Sequence, residues 1–231
     1  MTLRALPSRH SKQPEGFLGR LADAKAMLRR EAAAVTAMAD RLGEEFCFAL
    51  ELVVRCHGRV IVSGVGKSGL VGRKISSTLA CTGTPSFFLH PIEAAHGDLG
   101  TVTADDVVVL VSNSGETEEL LRLVPYLKEN DVPIIAFVGH THSTLARWAD
   151  VSLDIGVERE ACPYNLVPTS SALTTLAMGD ALALAVMSER GFRPEDFARI
   201  HPGGALGRRP LISVGQNSDG SGATPVVALE P

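Results

Sequence analysis

Arg59-Val-Ile-Val-Ser-Gly-Val-Gly-Lys-Ser-Gly69 changes character halfway along. Its first half is a β-branched run, apolar in the middle and ending at a glycine, the pattern of a strand buried on both faces. Its second half is a glycine-rich turn opening onto a helical pattern over about residues 69–81. Runs of the first kind recur at Ser86–Leu89, Asp106–Val111, Pro133–Val138 and Val151–Ile155. Helical stretches over about 92–97, 117–130 and 143–148 separate them. Strands alternating with helices at this interval imply right-handed crossovers and a parallel sheet covered on both faces, an α/β fold.

Working outward, Leu21, Ala24, Leu28 and Ala32 recur at helical spacing upstream, and Gly43 separates two helices between Leu18 and Cys56. Downstream, a helix over about 169–189, rich in Ala, Leu and Met, closes the domain. Residues 15–209 are expected to form one domain. Residues 1–14 are read as a flexible segment and 210–231 as a flexible tail, because Gln216-Asn-Ser-Asp-Gly-Ser-Gly222 has too little apolar surface to order itself.

Composition limits the function classes. With 45% hydrophobic residues but only 5% aromatics, aliphatic side chains must fill the core. A net charge of −4 leaves no basic footprint for nucleic acid. Cys47, Cys56, Cys81 and Cys162 show no metal or redox spacing and read as reduced, mostly buried thiols, the cytosolic pattern. Met1–Gln13 lacks the apolar core of a signal peptide, and no apolar run reaches the roughly 20 residues that span a bilayer. A soluble, cytoplasmic protein without a membrane partner is expected.

Ligands of open α/β sheets bind beyond the carboxyl ends of the strands, and two such ends carry unusual chemistry. Gly64-Val-Gly-Lys-Ser-Gly69 offers close backbone approach, helix N–H donors and a lysine. It is not a nucleotide P-loop, which needs glycine where Ile61 stands. Ser112-Asn-Ser-Gly-Glu-Thr117 follows the third strand, and its hydroxyls can surround a phosphate or merely cap the next helix, with Ser114 and Thr117 in the first turn. Pro168-Thr-Ser-Ser171 opens the last long helix and has the same two readings.

Together these segments resemble the SIS (sugar isomerase) domain over roughly residues 15–209. Within that class they are similar to the bacterial arabinose 5-phosphate isomerases. The resemblance also rests on Gly83-Thr-Pro-Ser-Phe-Phe88, His90, Glu93-Ala-Ala-His-Gly-Asp-Leu-Gly100, Glu160-Ala-Cys-Pro163, Met178-Gly-Asp-Ala-Leu182 and His201-Pro-Gly-Gly-Ala-Leu-Gly207. It implies a three-layer fold with a five-stranded parallel sheet flanked by helices. It further implies interconversion of D-ribulose 5-phosphate and D-arabinose 5-phosphate for synthesis of the eight-carbon acidic sugar of lipopolysaccharide (Kdo). A homotetramer with shared active sites and no required cofactor belongs to the same expectation. Many family members carry two CBS modules after the SIS domain. Here the sequence runs from Leu206-Gly-Arg-Arg209 into a short polar stretch, and CBS modules are not expected.

The resemblance carries over Lys67, Glu119, Glu160 and His201 as catalytic candidates, and each has a chemical rationale. An aldose–ketose isomerase moves a proton between C1 and C2 through an enediol(ate), so it needs a base, a stabiliser of negative oxygen and a phosphate anchor. Lys67 beside the anion turn suits the enediolate or the phosphate. Glu116 and Glu119 share a helix face, and the pattern alone does not rank Glu116, Glu118 and Glu119. Glu160, partly desolvated after the fifth strand, is expected to have the raised pKa of a general base. His201 suits ring opening or proton shuttling, reaching in from a neighbouring subunit. Expected substrate contacts are Ser68, Gly83, Thr84, His96, Ser112, Asn113, Ser114, Thr117, Thr169, Ser170 and Ser171. His90 resembles a contact for an inhibitory zinc.

Two rivals stay open: a SIS isomerase for a hexulose or heptulose phosphate, and a non-catalytic sugar-phosphate sensor. A sensor of that class usually adds a basic helix-turn-helix domain, which is not expected in this sequence of net charge −4. An NAD site is disfavoured by Lys67 inside the glycine turn and by His90, not an acid, at the end of the second strand.

Overall fold

The structure, a computed structural model, describes residues 15–203. The expected tails at 1–14 and 210–231, and residues 204–209 of the expected domain, lie outside the described residues. Contacts divide the chain after Phe192 into a large unit and a second unit from Arg193.

The large unit opens with α1 (Glu15–Asp40) and α2 (Glu44–Val54), separated at Gly43, which is the N-cap of α2. Five strands follow: β1 (Val60–Gly64), β2 (Ser86–Phe88), β3 (Val107–Ser112), β4 (Ile134–Val138) and β5 (Val151–Asp154). All pair in parallel in the order β2-β1-β3-β4-β5. Between them run α3 (Gly66–Cys81), α4 (Pro91–Ala95) with a 3-10 turn at Asp98–Thr101, α5 (Glu118–Leu121), α6 (Val124–Glu129) and α7 (Thr144–Trp148). The long α8 (Ser170–Glu189) closes the unit.

Every residue of β1, β3 and β4 is buried, as continuous apolar runs in a parallel sheet require. Successive side chains alternate between two cores. Val60, Val62, Val107, Val109, Ile135 and Phe137 face α2, α3 and α8. Ile61, Val108, Leu110, Ile134 and Ala136 face α4 to α7. The expected three-layer fold is present, with aliphatic residues filling both cores.

Three expectations need correction. The helix expected over 117–130 is broken into α5 and α6, because Pro125 in the first turn of α6 has no N–H to continue the ladder. One helix, α8, does have the length and composition of a membrane span, although no apolar run was expected to. Half of that window is buried, and Asp180 within α8 is paired with Lys74 of α3 at 2.6 Å, so it serves here as a core helix. The four cysteines are free, but only Cys162 is buried; Cys47 is exposed and Cys56 and Cys81 are half-buried.

The second unit holds α9 (Pro194–Ile200), begun by Pro194 in its first turn, with His201 as its C-cap.

Candidate functional site

Two loops leave neighbouring strands toward opposite faces of the sheet. β1 feeds α3 on one face and β3 feeds α5 on the other, so the chain parts between them. In this strand order, that switch point opens a crevice at the carboxyl edge.

The turn after β1 is tight. A Cβ on Gly69 would stand 2.6 Å from Gly64 O, so a larger residue would force the turn open. Gly69 N donates to Val65 O at 3.2 Å, and Lys67 stands exposed in the first turn of α3.

The loop after β3 is shaped by its own hydroxyls. Ser112 Oγ is buried, accepts from Gly115 N at 3.0 Å and hydrogen-bonds Thr117 Oγ1 at 2.8 Å. Ser114 Oγ accepts from Glu116 N at 3.2 Å. Thr117 is the N-cap of α5, yet its side chain makes no capping bond. Helix capping therefore does not account for this cluster. Asn113 and Ser114 are exposed at the loop surface.

The three glutamates that follow have different surroundings. Glu116 Oε1 accepts from Thr144 N at 2.7 Å, and this bond, with Arg147 nearby, holds its carboxyl below the usual range. Glu118 pairs with Arg122 at 3.1 Å. Glu119 is half-buried and has no hydrogen-bond or ion-pair partner among the described residues. Geometry thus separates three carboxylates that pattern alone could not rank.

A cavity of about 270 Å³ opens at the switch point. Lys67, Ser68, Asn113, Glu160, Asn165 and Ser171 are its principal polar walls, with Val71, Leu166, Pro168 and Ala172 as apolar ones. A larger groove of about 410 Å³ beside β5 contains none of the expected groups.

Glu160 has the most determined environment in this cavity. Its Oε2 accepts from Thr169 N at 2.8 Å, Thr169 Oγ1 at 3.1 Å and Ser171 N at 3.2 Å, while Ser171 Oγ donates to Oε1. The carboxylate thus caps the positive end of α8. Burial pushes its pKa up, but the Ser171 hydroxyl, the two backbone N–H groups and the Thr169 hydroxyl outweigh that and hold it below the ordinary value. The expected raised pKa is overturned. The hydroxyls of Thr169 and Ser171 are spent on Glu160, and Ser170 Oγ is buried without a partner among the described residues.

The structure leaves other expected residues apart from this cavity. Ser112, Ser114 and Thr117 shape the adjoining loop, and Glu119 lies on α5, which packs against α4. His96 ends α4 and is exposed. His90 begins α4, its Nδ1 accepting from Ile92 N at 3.3 Å. Among the described residues no three His, Cys, Asp or Glu side chains are arranged to hold a metal ion. Gly83 and Thr84 precede β2 and therefore lie at the amino edge of the sheet. There Thr84 Oγ1 accepts from Arg190 Nη1 at 3.4 Å, and a Cβ on Gly83 would enter the Phe192 ring. Within the described chain both residues thus make structural contacts at that edge. His201, in the second unit, stacks on Phe197 at 3.8 Å and its Nδ1 hydrogen-bonds Phe197 O at 2.8 Å.

Asn165 was missed as a site residue. The signal was available in principle: an asparagine in a turn-forming Pro-Tyr-Asn stretch between two segments of the site.

Comparison with known proteins agrees with this architecture. The SIS domain matches residues 53–185, from the end of α2 into α8. The arabinose 5-phosphate isomerase of Pseudomonas aeruginosa is 55% identical over 181 residues, 78% of this chain and 56% of that protein. That of Salmonella typhi is 53% identical over 190 residues, 82% of this chain and 59% of that protein. The chain thus spans a little under three fifths of these curated relatives. A solved structure of an Escherichia coli CFT073 protein in complex with A5P superposes with a TM-score of 0.77 at 43% identity, covering 82% of this chain and all of that one. The match runs through the strands and through both switch-point loops from which the cavity is built, and on that ground the chain belongs to the SIS domain family.

Proposed function

We propose that the chain is an aldose–ketose isomerase that interconverts D-ribulose 5-phosphate and D-arabinose 5-phosphate. The observation that carries this reading is the switch-point cavity, which has Lys67 and Glu160 among its walls beside a serine-rich loop. The names of relatives at 53–55% identity support the choice of substrate.

Ser68, Asn113, Ser114 and Thr117 anchor the phosphate, Ser112 braces their loop, and His96 meets the sugar. Glu160 takes the C1 proton of the ketose; the electron pair moves to C2–O2, giving an enediolate, and the proton returns to C2 as O1 becomes the aldehyde oxygen. His201 opens the ring or carries the proton between O1 and O2. Glu160 is ionised at neutral pH, but its four donors make it a weaker base than a bare carboxylate. The enediolate must therefore be well stabilised, and Lys67 supplies that charge. Glu119, on the adjoining α5 and without a hydrogen-bond or ion-pair partner among the described residues, is the second carboxylate available for proton transfer.

A cytoplasmic homotetramer with shared sites, feeding lipopolysaccharide synthesis through Kdo, completes the reading. Phe17, Leu21 and Leu28 support self-association, since each is more than half exposed and all three lie on one stripe of α1. The test is to incubate the purified protein with ribulose 5-phosphate and a chelator, and to identify products. Arabinose 5-phosphate is expected. Turnover of six- or seven-carbon phosphates alone would assign another SIS isomerase, and binding without turnover would assign a sensor.

A further inference from the structure

The cavity's polar walls divide into groups already engaged and groups left free. Ser171 Oγ donates to Glu160, and Thr175 Oγ1 donates to Ser171 O at 2.7 Å, so neither hydroxyl proton is available to a ligand. Among the described residues the side chains of Lys67, Ser68 and Asn113 have no hydrogen-bond partner, and neither does the Nδ2 group of Asn165.

Asn165 is held unusually firmly for an exposed loop residue. Its N–H donates to Cys162 O at 3.0 Å, and its Oδ1 accepts from Glu160 N at 2.8 Å. Its φ of 55° lies in the left-handed region, which asparagine tolerates better than most residues. A side-chain amide has one acceptor end and one donor end. With Oδ1 committed to Glu160, the end left for the cavity is the Nδ2 group. One residue therefore ties the backbone of Glu160 in place and offers a donor to the same space.

We infer that Asn165 is a substrate-binding residue whose Nδ2 donates to a hydroxyl oxygen of a sugar or polyol phosphate, selecting the carbon chain rather than the phosphate. This rests on the isomerase reading for the identity of the ligand. An amide fixed in advance loses little freedom on binding, so its hydrogen bond counts nearly in full.

The test compares wild type, Asn165→Asp and Asn165→Gly. Both variants tolerate the positive φ. The aspartate keeps an acceptor for Glu160 N but has no donor at neutral pH; the glycine has neither group. Affinities are measured by titration calorimetry for arabitol 5-phosphate, which cannot react, and for inorganic phosphate. The readout is the ratio of the two, in which any general effect of the added charge on phosphate largely cancels. The preference for arabitol 5-phosphate over phosphate is expected to fall about five- to tenfold in both variants. A fall in the glycine variant alone would make Asn165 only a loop tie and overturn the proposal. An unchanged ratio in both variants would overturn it while leaving the isomerase reading intact. Failure of wild type to bind arabitol 5-phosphate would overturn both.

Discussion

As the proposed proton acceptor, Glu160 is pulled in two directions, since such a group profits from a bare carboxylate while a helix cap uses both oxygens. Here the cap dominates, with Thr169 and Ser171 donating through backbone and hydroxyl alike. Because the folded pKa lies below the ordinary 4.5, the ionised group stabilises the fold above that pH, and the contribution is lost as pH falls through the lower folded value. Glu160→Gln should therefore cost about 1 kcal/mol near neutrality, the order of a lost cap. The gap between variant and wild type should narrow on acidification below pH 4.5. Urea unfolding at pH 7 and at pH 4 measures both; a gap that widens in acid would contradict the cap. Glu119→Gln should lower kcat strongly, whereas Glu118→Gln, which loses only an exposed pair with Arg122, should leave it near wild type. The sequence marked Glu160 as a site residue through its motif but misjudged its basicity. The donors stand nine and eleven residues away, and only the return of the chain at the start of α8 makes them neighbours.

At the scale of elements, α3 and α8 carry the site's two halves, Lys67 at the start of one and the Glu160-capped turn at the start of the other. Their close approach depends on Gly179, where any Cβ would run into Ile75. Gly179→Val should destabilise the protein by roughly 1–3 kcal/mol through overpacking, which the few tenths of a kcal/mol gained in helix propensity over glycine do not offset. Thermal unfolding checks this, and a Tm equal to wild type would mean that the helices separate freely. The strands were readable because β-branched apolar runs buried on both faces have few other structures open to them. The break before α6 could have been read from Pro125. The amino-edge position of Thr84 could also have been inferred, since a residue just before a parallel strand lies opposite the ligand edge.

For the whole molecule, the order β2-β1-β3-β4-β5 converts two separate stretches of sequence into one crevice. Composition and strand pattern indicated the class of fold, and the serine and glycine loops indicated the edge where a ligand sits. Which hydroxyls remain free there could not be read along the chain: Ser112 is spent within its own loop, and Thr169 and Ser171 are spent on Glu160, which the return of the chain at the start of α8 brings near. The central claim is that proton transfer through an enediolate takes place in this cavity, with Lys67 supplying the positive charge. The most direct test is the kcat of wild type and Lys67→Met for ribulose 5-phosphate, with circular dichroism confirming that both are folded. Loss of the lysine should lower kcat by at least about a hundredfold, the usual effect of removing one group that stabilises a developing oxyanion. A folded Lys67→Met protein that turns over substrate at the wild-type rate would contradict the account.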